Sequence, residues 1–150
     1  MKRFRFSLRP VHVIRAQREL QAREALAAAV QVLVQAEEKL TRIRDRKTEF
    51  ETALLSGRRD RFNAANAAQA LVAYRQECLA EAEADRATAV ARTGVAERRT
   101  AYFEAHSRLE VVKRLEVKAR GAHRLAALRS EQIELDEFAG RTASRKLFPT

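Results

Sequence analysis

From Ser7 to Ser56 the chain alternates apolar and polar positions in steps of three and four. Leu26, Leu33, Leu40 and Leu54 share a seven-residue spacing, with Lys47 in the gap. Ala22, Ala29, Ala36, Ile43 and Phe50 make a second row. Two such rows form the seam of a coiled coil. The first helix is predicted over residues 7–56. Ser7 is placed to cap free backbone N–H groups, and Pro10 falls in the first turn, where a missing N–H costs little. Phe6 and Val11 have the spacing of a hydrophobic staple. Val13 and Leu20 keep a seven-residue interval but lie out of phase with the downstream rows. A local stutter is therefore expected there.

The periodicity breaks at SGRRDRFNAAN, residues 56–66. Gly57 can end a helix, and Asp60, Asn63 and Asn66 are candidate caps for the next one. Asn66 with Gln69 has capping-box spacing. A second helical segment is predicted over 67–139, with a basic tail over 140–150. Its apolar positions include Leu71, Tyr74, Cys78, Val95, Tyr102, Leu109, Val112, Leu115, Leu125, Leu128, Leu135 and Phe138. Their phase drifts more than in the first helix. Gly94 and Gly121 each cost roughly 1 kcal/mol relative to Ala without having to break it.

Two helical segments and one polar interruption predict a single all-α domain over residues 1–150, an elongated antiparallel two-helix coiled-coil hairpin. At 1.5 Å per residue the segments would be about 70 and 110 Å long. That mismatch leaves open an overhang of the second helix, an extra bend within 57–90, or pairing between separate chains.

Composition agrees with long helices. Twenty-nine alanines stand against four glycines, two prolines and no tryptophan. So few turn formers could not connect the strands of a β fold. The formal net charge is +10, unevenly spread. Residues 1–56 carry 12 cations and 7 anions, and residues 107–150 carry 10 and 6. Closing the hairpin would bring these two basic segments together, suited to steering towards an acidic partner. The basic start MKRFRFSLRP is followed by no continuous apolar stretch, so neither a signal peptide nor a membrane-spanning helix is expected. Cys78 is the only cysteine, which excludes an internal disulfide and favours a reducing cytoplasm.

Catalytic chemistry is missing from the pattern. There is no Gly-rich phosphate loop and no Gly-x-Ser-x-Gly elbow. His12, His106 and His123 are scattered and make no metal-ligand cluster. Glu37 with Glu38, or Asp136 with Glu137, are neighbours whose side chains point different ways on a helix. The chain is expected to be no enzyme and to need no cofactor. Cys78 reads as a small buried hydrophobe. The cluster Lys113, Arg114, Lys118, Arg120 and Arg124 reads equally as a solvated face, with Glu110 and Glu116 as local partners, or as a protein-docking surface. Nucleic acid is not the expected partner, because carboxylates dilute the cations and no stacking platform is present.

Three segments carry a resemblance. FRFSLRPVHVIRAQRELQAREALAAA at 4–29, EEKLTRIRDRKTEF at 37–50 and LDEFAGRTASRK at 135–146 resemble the flagellar export protein FliJ, a family related to the YscO proteins of virulence secretion systems. The resemblance implies an antiparallel two-helix coiled coil similar to the stalk of rotary ATP synthases. It implies binding to the ring of the export ATPase FliI, contact with the export-gate membrane protein FlhA, and a part in recycling export chaperones. The place implied is the cytoplasmic side of the inner membrane at the flagellar base, without insertion into it. For gate docking it points to Lys39, Ile43, Arg46 and Phe50 on the first helix, with Arg46 where some relatives carry an aromatic. On the second helix it points to Tyr74 and Cys78, and less directly to Glu81 and Asp85. Ile43 and Phe50 also lie on the predicted seam. ATPase docking falls to Lys113, Arg114, Lys118, Arg120 and Arg124.

Overall fold

The computed structural model describes residues 3–57 and 64–147. Among these there are two α-helices and no strand: α1, Arg9–Gly57, and α2, Ala64–Leu147. They pack against each other as a two-helix hairpin. The chain falls into two compact units, one of residues 1–19 with 105–150 and one of residues 20–104.

The start of α1 differs from expectation by two residues. The Arg9 N–H donates to the Phe6 carbonyl at 3.2 Å, closing a turn over Phe6–Arg9. The His12 N–H donates to the Leu8 carbonyl at 2.9 Å, so Leu8 rather than Ser7 holds the cap position. Pro10 is then the second residue of the helix, where its lack of an N–H leaves no bond unmade. Asp60 and Asn63 lie outside the described residues. Asn66 is not a cap, since it sits in the first turn of α2. That helix runs without interruption through residues 64–90 and through both glycines. An added Cβ at Gly94 or Gly121 would meet nothing within 4 Å. It also continues through 140–147, expected as a tail. No proline intervenes before Pro149, and the Thr142 hydroxyl donates to the carbonyls of Phe138 and Ala139.

In the unit of residues 20–104 both rows read from α1 face α2. Leu40 and Ile43 are 6% and 3% exposed and form the core with Ala84, flanked by Ala80. Thr88 is buried beside them, and its hydroxyl donates back to the Ala84 carbonyl at 2.9 Å. Small residues on α2 let the helices approach closely, and the larger α1 side chains fill the space. Charged rungs rim this seam, and their pairing runs antiparallel. Tyr74 reaches Glu51, Arg46 reaches Glu77, Arg44 reaches Glu81, and Arg92 reaches Glu37.

The unit of residues 1–19 and 105–150 has Leu109 and Val112 as its buried side chains. The predicted stutter is absent. Val13 and Leu20 face solvent, while His12 and Glu19 extend the leucine row and Arg15 extends the alanine row. These polar residues keep the seven-residue rhythm because each has a partner on α2. His12 Nδ1 lies 3.7 Å from Glu116, His106 Nδ1 lies 3.5 Å from Glu19, and Arg15 donates to the Arg108 carbonyl at 2.8 Å. Before the helix begins, Phe4 meets His123 edge-on with ring centroids 5.4 Å apart, and the Arg120 guanidinium lies over the Phe4 ring.

The drift of the second segment has a physical origin. On α2 the buried or half-buried positions described in this unit are Ala105, His106, Leu109, Glu110, Val112, Glu116, Ala119, His123, Ala127 and Glu131. Leu115, Leu125, Leu128, Leu135 and Phe138, which are among the apolar positions of that segment, are exposed. Leu125, Leu128 and Leu135 belong to a second row on the opposite side of the helix.

Candidate protein-docking site

The residues assigned to gate docking divide by burial. Ile43 is core, and this corrects its assignment as a docking residue: a side chain packed among Leu40, Ala84 and Ala80 has no surface to offer. Phe50, Tyr74 and Cys78 are half-buried along the seam edge. Lys39 and Arg46 are exposed.

One polar cluster gathers at this edge. Tyr74 donates its phenol to Glu51 at 2.7 Å. That hydrogen bond is the main reason its ionisation is pushed up to about 12, with burial and the neighbouring Cys78 adding to it. Lys47, in the gap of the leucine row, donates to Glu81 at 2.8 Å. Glu81 also accepts from Arg44 at 3.0 Å, and Arg44 reaches on to Asp85 at 3.1 Å. The hydrogen bond from Lys47, followed by that from Arg44, holds the Glu81 carboxyl below the usual carboxylate range. The same contact raises the Lys47 amine. Glu81 and Asp85 are thus tied to the first helix. Arg44 was missed by sequence reasoning. Its signal, a cation opposite two carboxylates one turn apart, becomes visible only once the antiparallel register is known.

The basic cluster on α2 also divides. Lys113 donates to Glu110 at 2.9 Å and holds that carboxyl below its ordinary range. Arg120 donates to Glu116 at 3.1 Å and covers Phe4. Arg114, Lys118 and Arg124 are exposed, and among the described residues no ion pair engages them. Arg114 and Lys118 stand on the face opposite Leu109 and Val112, in step with Gly121, Leu125 and Leu128. Arg124 flanks that row.

Among the described residues no group of three or more His, Cys, Asp or Glu is arranged to hold a metal ion. No described helix is long and apolar enough to cross a membrane. The arrangement offers charged and apolar strips along helices, which suit protein contacts.

Comparison with curated proteins and with solved structures finds no match. The model of one protein family, described as flagellar FliJ protein, matches residues 4–147. With nearly the whole chain inside that match, on a helical hairpin that fits it, the protein belongs to the FliJ family, non-catalytic components of flagellar type III protein export.

Proposed function

We propose that the protein works as a stalk-like adaptor of the export apparatus, joining the export ATPase ring to the export gate. The observation that carries this reading is the meeting of two basic segments in one unit, with Arg114, Lys118 and Arg124 exposed and in no ion pair among the described residues. Residues 1–19 hold six cations and one carboxylate, and they pack with the stretch of α2 that carries the basic cluster. Exposed cations not held in close ion pairs act at long range and accelerate encounter with an acidic ring surface. Lys113 and Arg120, already neutralised by Glu110 and Glu116, contribute less. The gate would be met at the seam edge, by Lys39 and Arg46 with the half-buried Phe50, Tyr74 and Cys78. Family membership supports these partners, the handling of export chaperones, and a location on the cytoplasmic face of the inner membrane at the flagellar base.

Association kinetics with purified export ATPase test the first contact. Charge reversal at Arg114, Lys118 and Arg124 should slow association most at low salt, and more than reversal at Lys113 and Arg120. Equal rates for wild type and the triple variant across salt concentrations would reject the assignment. For the gate, Lys39→Glu should weaken binding to its cytoplasmic part while the melting temperature holds. Unchanged affinity would reject that face.

A further inference from the structure

The outward row of α2 has no occupant. Leu125, Leu128 and Leu135 are 59%, 54% and 68% exposed. With Gly121, Gln132 and Ala139 they keep steps of four and three, the rhythm of a coiled-coil seam. They lie on the side away from Leu109 and Val112, so packing with the N-terminal segment leaves them open. Among the described residues no hydrogen bond, ion pair or ring contact joins 125–142 to that segment.

Charge along this row changes sign. Lys113, Arg114, Lys118, Arg120 and Arg124, less Glu116, give net +4 over 113–124. Glu131, Glu134, Asp136 and Glu137 give −4 over 131–137. A strip that is basic at one end and acidic at the other complements itself when reversed. We propose that this face binds a second copy of the chain, antiparallel, through a two-fold axis between Ala126 and Ala127.

Side-chain arithmetic selects the register. With the axis there, Leu125 faces Leu128 of the partner subunit, twice. Gly121 faces Gln132 of the partner subunit. Arg124 on one flank faces Glu131 of the partner subunit, also twice. Lys118 lays its stem along Leu135 of the partner subunit, with its amine beside Asp136 of the partner subunit. Moving the axis half a heptad towards the C-terminus would set Arg129 against its own copy and Glu131 against its own copy, which like-charge repulsion opposes. The contact covers residues 114–139, about 39 Å of helix, and roughly 400 Å² on each copy for a strip about 10 Å wide. A total near 800 Å² is below the size of stable complexes, so the dimer is transient, with a dissociation constant on the order of 10–100 µM. The same cations serve the proposed ATPase contact, so self-pairing would withhold them from it. The dimer itself does not depend on that contact.

Sedimentation equilibrium of the purified chain alone, from about 5 to 500 µM, tests the proposal. The wild type should pass from monomer to dimer over this range. Arg124→Glu and Glu131→Arg should each weaken association about tenfold, since each turns two attractive contacts into repulsive ones. The double variant should recover it. Leu128→Glu, exposed in the monomer, should abolish the dimer while circular dichroism keeps its helical signal. A chain that stays monomeric at 500 µM overturns the proposal. So does association that the single charge reversals leave unchanged, or that the double variant fails to restore.

Discussion

Replacing Ile43 by alanine separates the core reading of this residue from a docking role. Ile43 is 3% exposed and packs with Leu40, Ala84 and Ala80. Truncating a buried isoleucine to alanine costs roughly 2–5 kcal/mol, depending on how far the site collapses. Here two of the three neighbours are alanines, which cannot move into the space. Leu40 can relax part of the way into the gap, and the expected cost is about 2–3 kcal/mol. For a chain of this length that lowers the melting temperature by roughly 4–12 °C. Thermal melts followed by circular dichroism measure it, with Val90→Ala as control. Val90 is 72% exposed, and its truncation should stay within about 0.5 kcal/mol. Phe50→Ala, half-buried, should fall between the two. An Ile43→Ala variant that melts with the Val90→Ala control would refute the core assignment. So would one that loses gate binding at an unchanged melting temperature.

Acid should loosen the seam of residues 20–104. Glu81 is depressed by Lys47 and Arg44, so its contribution is complete above the ordinary glutamate value near 4.5 and is lost as pH falls below that through its folded value. Melting temperature should therefore hold from pH 7 to 5 and then drop, and Glu81→Gln should flatten that drop; an unaltered profile would count against the rung. In a Tyr102→Phe background, ultraviolet titration should find Tyr74 ionising near 12, and Glu51→Gln should return it towards 10. No movement would mean that Glu51 does not hold the phenol. Gly94→Ala should stabilise the helix by about 0.5–1 kcal/mol, because the added methyl meets nothing and the unfolded chain loses freedom; a lower melting temperature would show that the methyl meets a neighbour after all.

The middle of α1 was legible because Leu26, Leu33, Leu40, Ile43 and Phe50 announce their face by size. Its first turns were not. His12, Arg15 and Glu19 occupy the same face, but a hydrophobic pattern is blind to a seam satisfied by hydrogen bonds, so Val13 and Leu20 drew the reading out of phase. On α2 the error had the opposite cause. Apart from Leu109 and Val112, many residues that face α1 are small or polar, such as Ala84, Thr88 and Ala105, while bulkier Leu125, Leu128 and Leu135 mark another face. Periodicity reports a row of leucines without saying what covers it. The docking sites were legible as residue types only. Which cations remain uncommitted depends on Glu110 and Glu116 being one turn away, and Ile43 changes meaning when its neighbours are known.

The spacing of the rungs sets an order of assembly. In the unit of residues 20–104 the Tyr74–Glu51 contact spans 23 positions, Arg46–Glu77 spans 31, Arg44–Glu81 spans 37 and Arg92–Glu37 spans 55. Each rung, once made, shortens the free loop that the next must close, so the entropy of closure is met in small steps rather than at once. Pairing therefore starts beside the connection and travels outward like a zip, a local route that favours fast folding. On the ribosome the first helix must wait for the second. Until Tyr74 and Ala84 emerge, Leu40 and Ile43 have no cover, and the newborn chain carries its apolar seam into the cell uncovered.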